Sequence, residues 1–287
     1  MRSLILFLLI ALAGANATAQ SAGPALWEVG EGDATLLIMG SVHVFRPDTH
    51  WLEPEMRSRF EASSILVIEV ADLEDVDELT IRLVQERGFY PPGESLADEV
   101  GVELYERVMR HAEALGCGRR EFSQLRPWLA VLVLTQLWAE CHGYDAGAGV
   151  DVVFNRMAHA AGKPVWGLET IEEQMDVLIE GLGSDPETML EHALVQLNNG
   201  DYLDALVEAW LKGDMPALEA LLHESLADFP EIHELLIVAR NRRWAGMIER
   251  MLGDEHSQFV VVGVAHLVGP DNLLDLLRAR GIRVVRQ

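Results

Sequence analysis

Five short apolar runs limit what this 287-residue chain can fold into. They are TLLIM (Thr35 to Met39), SILVIEV (Ser64 to Val70), KPVWGL (Lys163 to Leu168), QFVVVGV (Gln258 to Val264) and IRVV (Ile282 to Val285). Each is β-branched and mostly unbroken, whereas a strand with one wet face would alternate apolar and polar residues. Helical patterns separate them. The expectation is an α/β fold whose strands are buried on both faces of a central sheet. A further stretch, LWEVG (Leu26 to Gly30), is expected to form a hairpin with TLLIM across Gly30 to Asp33.

The helical stretches have readable faces and ends. PDNLLDLLRARG opens on Pro270 and Asp271, closes on Gly281 and carries Leu273, Leu274, Leu276 and Leu277 toward one side. It runs straight into IRVV, so the C-terminus reads as strand, turn, helix, strand. Leu73 to Leu115 and Glu169 to Met251 read as mostly helical, with breaks at FYPPGES, GLGSDPE and GDMPA. The strands gather near both termini and one central point, so the middle reads as a largely helical insertion on the sheet. WLAVLVLTQLW (Trp128 to Trp138) is apolar all round and too short for a membrane span, which predicts a buried core helix. No solenoid repeat or Gly/Ser linker interrupts residues 20–287, which are expected to form one domain.

The opening residues, MRSLILFLLIALAGANATAQ, place one basic residue before an apolar core from Leu4 to Ala13 and then a small-residue triplet, Ala17 to Ala19. That is the layout of a secretory signal peptide, residues 1–19, cleaved after Ala19. Its apolar core is about half of the ~20 residues that span a bilayer. A periplasmic or secreted protein, without a stable membrane anchor after cleavage, is expected. The formal charge of −24 becomes one unit more negative without Arg2 and argues against nucleic acid or an anionic membrane surface as a partner. Cys117 and Cys141 could pair in an exported protein. They end successive helices, the second rising about 21 Å; an antiparallel hairpin would hold the sulfurs beyond bonding reach, so two free thiols are expected.

In an open α/β sheet, ligands bind outside the carboxyl ends of the strands. TLLIM delivers Gly40 and His43 there, SILVIEV delivers Glu69, KPVWGL delivers Glu169, and QFVVVGV delivers Gly263 and His266. Either G-x-x-H alone is a weak signal, but four of five strands ending in a histidine or carboxylate is not. Glu69 interrupts an apolar run, where a carboxylate is costly unless paired, hydrogen-bonded or bound to a metal. A glycine just past a strand can adopt positive φ and lets a ligand or second backbone approach closely. Two neutral imidazoles with carboxylates suit a borderline divalent ion such as Zn, Mn or Co, with a spare glutamate as general base. Competing patterns are weaker. Ser41 sits in GSVH, not in G-x-S-x-G; HESL at His223 and HELL at His233 lack the second histidine of H-E-x-x-H. Those two, with His111, His142, His159, His192 and His256, read as surface or helix-face histidines. His50, close behind the first motif, is a weaker candidate.

The ordered set IMGSVHVFRPD, SILVIEV, RPWLAVLVL, GYDAGAGVDVVFNRMAHAAGKPVWGLET, ARNRRWAGMI and VVGVAHLVGPDNLLDLLRARGIRVVR resembles the TraB/GumN family. That family is grouped with the TIKI-type metalloproteases of animals and, more distantly, with haem-binding ChaN-like proteins and erythromycin esterases. The resemblance implies a central mixed sheet made of two related halves, each carrying one G-x-x-H. It implies His43, His266 and Glu69 as ligands of a divalent metal, Mn or Co rather than Zn, and places further acidic positions on Asp151 and Glu169. The R-N pair of the family falls on Arg240 and Asn241. The animal proteins end in a membrane anchor, whereas this chain ends in a strand at Gln287. From its residues alone, Arg240 reads either as a clamp on a substrate carboxylate or oxyanion or as a surface ion pair, and Asp151 as a site carboxylate or a helix-start residue favoured by the dipole. The functional expectation is an exported metal-dependent hydrolase, foremost a TIKI-like peptidase. Two alternatives stand beside it: a non-catalytic haem- or metal-binding protein, and an esterase-like small-molecule hydrolase that uses one histidine as base.

Overall fold

The computed structural model describes residues 23–31, 34–71, 73–198, 200–226 and 229–287. The signal-peptide reading and the side chain of His223 lie outside the described residues. Six strands form one mixed sheet: β1 (Leu26–Glu31), β2 (Ala34–Ser41), β3 (Ile65–Val70), β4 (Val165–Glu169), β5 (Gln258–Gly263) and β6 (Val284–Arg286), in the order β4-β3-β5-β2-β1-β6. β1 forms the expected hairpin with β2 and pairs antiparallel with β6; β4, β3, β5 and β2 run parallel. All five apolar runs are strands, with ends shifted by one or two residues; IRVV starts pairing only at Val284.

The unbroken apolar pattern has a direct cause, because both faces of the sheet are covered. Leu66, Ile68, Val70, Phe259 and Val261 join a core with Phe60, Phe154 and Trp138 from the helices Pro54–Ala62, Val150–Ala160 and Pro127–Cys141. The alternate residues Ile65, Val67, Val260 and Val262 join Trp244, Ile248, Leu273 and Leu277 from Ala239–Met251 and Leu273–Ala279 on the opposite face. Phe259 packs between the rings of Phe154 and Phe60, with centroids 5.0 and 5.5 Å away. Truncation of such a residue costs about 3–5 kcal/mol.

The helix Pro127–Cys141 is less enclosed than its sequence suggested. Trp128, Ala130, Leu134 and Trp138 are buried, but Thr135 and Gln136 are exposed and Val131 to Val133 only partly covered. Cys117 and Cys141 are both free thiols. Among the described residues no helix is long and apolar enough to cross a membrane.

Candidate active site

Strand order decides which carboxyl ends become neighbours. Along that edge of the sheet stand Glu169 on β4, Glu69 on β3, the turn after β5 with His266, and the turn after β2 with His43. Ser41 pairs with Gly263, and Val70 with Glu169, so the four strand ends are level. They border a cavity of about 340 Å³ lined by Ser41, His43, Glu69, Asp151, Gln174 and Arg240 among others.

The two motif glycines nest into one another. A Cβ on Gly40 would lie 3.0 to 3.1 Å from Val264, and one on Gly263 would lie 3.2 Å from Glu69 Oε1, 3.3 Å from His43 Nε2 and 3.6 Å from His266 Cδ2. Each glycine therefore makes room for the other motif. Neither has a positive φ, which corrects the sequence expectation: close approach, not left-handed backbone, demands glycine here. A third glycine completes the cradle, since a Cβ on Gly149 would meet the His43 carbonyl oxygen at 2.4 Å. That contact, with the Val150 amide donating to the Val42 carbonyl, brings the start of the Val150–Ala160 helix against the β2 turn. Gly263 has φ −50° and ψ 135°, which alanine adopts freely, so Gly263→Ala should leave the fold intact while displacing the three groups around it. Shifts of a few tenths of an ångström should lower turnover by less than the ~100-fold that accompanies a 1 Å misplacement, at nearly unchanged stability, measured by activity beside urea unfolding.

Both imidazoles are held from behind. His43 Nδ1 stands 3.2 Å from Asp151 Oδ1, and a carboxylate only accepts, so Nδ1 carries a proton. His266 Nδ1 lies 2.7 Å from Asn241 Oδ1; Asn241 Nδ2 donates to the carbonyl oxygens of Asp271 and His266, which orients the amide. Nδ1 of His266 is thus the donor, leaving an Nε2 lone pair on the side of Arg240 and Glu69. Asp151, itself part of the cavity wall, and Asn241, behind it, position the histidines.

Arg240 is the hub. Its Nε donates to Glu169 Oε2, its Nη2 to Glu169 Oε1 and Glu69 Oε2, each at 2.6 Å, and its Nη1 to the Leu236 carbonyl and His266 Nε2. All five N–H directions are engaged. Arg240 is thus an internal counter-ion that also lines the cavity, and the surface-pair alternative fails because the side chain is only 9% exposed. A π-helical turn, Glu234–Val238, immediately precedes Ala239–Met251 and presents the Leu236 carbonyl to Arg240. Trp244, one turn further on, lies under the guanidinium at 4.5 Å and against the His266 ring.

Electrostatics separate the two histidines. Burial, with the nearby charges of Arg240 and His43, outweighs Glu69 and lowers His266 to about 3, so it is neutral at physiological pH. Burial also opposes charge on His43, but the hydrogen bond and charge of Asp151, with the charge of Glu69, raise it to about 9; its side chain is 59% exposed, and solvent weakens that pull. Burial pushes Glu69 up, yet His266, Arg240, His43 and the Gly263 amide hold it below the ordinary carboxylate range. With His266 neutral, Arg240, charged His43 and the amide carry that effect near pH 7. Burial holds Glu169 above its ordinary value despite Arg240. The depressed His266 implies that the unfolded chain gains a proton below pH ~6.5 that the folded chain refuses until about pH 3. Stability should then fall by up to ~1.4 kcal/mol per pH unit as pH drops from 6 to 4. Denaturant titrations of His266→Asn should show a shallower slope.

The edge thus assembles His43, Glu69, Glu169, Arg240, His266, Asp151 and Asn241. His50 remains on an exposed loop, and half-buried His233 lines a neighbouring cavity of about 210 Å³. Sequence reasoning missed Gln174, whose amide reaches Glu69 and Glu169, and Trp244. The spacing of Trp244 four residues after Arg240 was a usable signal; a glutamine on a polar helix was not. Ser41, set aside as a triad nucleophile, lines the cavity with a buried hydroxyl that has no protein partner.

The donors suit a divalent ion in kind, with an Nε2 on each imidazole and a carboxylate oxygen, Glu69 Oε1 lying 3.8 Å from His266 Nε2. They are not gathered around one point at coordination distance: among the described residues no three His, Cys, Asp or Glu stand close enough to share an ion, and Arg240 engages His266 Nε2.

A mixed six-stranded α/β sheet with two G-x-x-H turns facing buried carboxylates defines the class. Residues 25–286 match the TraB/PrgY/gumN family, and the chain belongs to that family. It is 24% identical to the uncharacterized protein YbaP of Escherichia coli (strain K12) over 86% of this chain and 89% of that protein. It is distantly homologous to the TIKI metalloproteases. A "Metalloprotease TIKI homolog" of Amphimedon queenslandica is 24% identical over 91% of this chain and 61% of its own length, and "Metalloprotease TIKI2" of Danio rerio is 24% identical over 86% and 57%. No solved structure gives a significant match.

Proposed function

We propose that the protein is an exported metal-dependent hydrolase acting on peptides, with His43 and His266 holding a divalent ion, Mn or Co rather than Zn. The carrying observation is the paired anchoring of the two imidazoles, each fixed at Nδ1 by an oxygen while Nε2 is left on the side of Glu69. The level, parallel strands β2 and β5, each followed by G-x-x-H, support reading the sheet as two related halves. Distant kinship with metalloproteases supports the reaction class. A bound ion would supply Lewis-acid polarisation of a scissile carbonyl and an activated water.

The chain's own residues divide the remaining work. Glu69 borders the cavity and completes the ligand set or takes the proton of the attacking water, whereas the Glu169 side chain is fully buried and bonded to Arg240, Arg243 and Gln174. Glu169 with Arg240 instead fixes Glu69 in place. Loading an ion requires Arg240 to release His266, which the second carboxylate permits by retaining the guanidinium. Element analysis and peptide hydrolysis of the His43→Ala/His266→Ala double variant test the proposal: metal and activity should both be lost, and wild-type levels of both would overturn it.

One observation favours a second reading. Arg240 satisfies His266 and both carboxylates without an ion, which leaves His43, backed by Asp151 at the mouth, as a metal-free base for a small-molecule ester once it has lost its second ring proton, so that this activity rises with pH toward about 9. Hydrolysis that survives exhaustive chelation selects it. Under either hydrolase reading, added haem produces no Soret shift.

A further inference from the structure

A second cavity, of about 250 Å³, lies within the helical layer and is almost wholly apolar. The helix Pro127–Cys141 contributes Val131, Thr135 and Trp138, three positions on one face, and the first two are the members of that face left uncovered. The helix Pro186–Asn198 faces it with Met189, Ala193 and Gln196. Phe229, Ile232 and Leu236 close one end. Among the described residues no Asp, Glu, Lys or Arg lines the space.

Its one polar anomaly is Gln196. The side-chain oxygen is buried without a hydrogen-bond partner, while the amide nitrogen stands 3.5 Å from His192 Nε2. An unpaired amide oxygen in an apolar space costs about 1–3 kcal/mol. Turning the amide over would only exchange an unpaired acceptor for an unpaired donor. A hydroxyl answers either orientation, because it both donates and accepts. A carboxylate or ammonium would enter without a counter-charge.

We propose that this cavity binds a small apolar molecule of roughly ten heavy atoms, scaling from a 150 Å³ cavity that holds benzene, with a single hydroxyl directed at Gln196. The site is separate from the carboxylate and histidine cluster and does not depend on the hydrolase reading. Fluorescence titration of the purified protein with 2-naphthol, beside calorimetry with naphthalene, tests it. Saturable 2-naphthol binding at one site is expected, roughly tenfold tighter than naphthalene, a ratio set by one hydrogen bond. Gln196→Leu should reduce that ratio to near one while keeping naphthalene binding, and Ala193→Phe should abolish both. Should the filled variant fail to fold, the Gln196→Leu ratio decides alone. Absence of saturable 2-naphthol binding, or an unchanged ratio in Gln196→Leu, overturns the proposal. The His43→Ala/His266→Ala variant should bind 2-naphthol as the wild type does.

Discussion

Replacing Arg240 by methionine lowers stability by about 3–5 kcal/mol at neutral pH, because it leaves buried carboxylates without their counter-charge. The side chains of Glu69 and Glu169 are 14% and 0% exposed, and Arg240 Nη2 meets both at 2.6 Å. Methionine fills comparable volume, so the loss is electrostatic rather than a cavity. Arg243, half-exposed and 3.3 Å from Glu169, recovers only part of it. The sign with pH follows from Glu69. Its depressed folded value contributes stability above the ordinary carboxylate pKa of ~4.3, which is lost as pH falls through the folded value. Without Arg240 that contribution is small at every pH, so the gap between wild type and variant is full at pH 7.5, narrows only below the ordinary carboxylate pKa of ~4.3, and is smaller at pH 3. Urea unfolding at both values measures it. A gap under 1 kcal/mol at pH 7.5, set against the 3–5 expected for a broken buried pair, would remove Arg240 from its place as counter-ion.

Glu69→Gln should abolish turnover by about 10²–10⁴-fold, the range for loss of a positioned acid or base. It also destabilises, although the two side chains have nearly the same shape. Every hydrogen-bond partner of the Glu69 carboxylate donates: the Gly263 amide to Oε1, Arg240 and Gln174 to Oε2. An amide must turn its own NH₂ toward one of them, leaving donor against donor at a cost of about 1–3 kcal/mol. Glu69→Asp keeps the charge but withdraws it from Gly263, and should recover stability better than activity. Activity at wild-type level in Glu69→Gln would exclude Glu69 as ligand or base.

Much of the sheet was legible because its cause is local. Runs such as SILVIEV and QFVVVGV are unbroken where both faces are covered, and Leu66 and Val67 point into different cores. The carboxylate at Glu69 stood out because it interrupts such a run. Other features left no local trace. The helical reading of Glu169 to Met251 concealed the π-helical turn that directs Leu236 to Arg240. Gly149 carried no signal in the sequence, although it touches the backbone of His43 across more than a hundred residues. Gln174 looked like any polar position on a helix surface.

What the amino-acid sequence determined by itself is the set of strands and the chemistry at each carboxyl end, since burial pattern and end residues are properties of short segments. What only the tertiary structure decided is adjacency. The order β4-β3-β5-β2 brings Glu69 within 2.7 Å of the Gly263 amide, 194 positions away, and puts one guanidinium among two carboxylates and a histidine. No local pattern encodes that convergence. It arises because parallel strands must be joined by long crossovers, so which ends meet depends on how the whole helical layer packs.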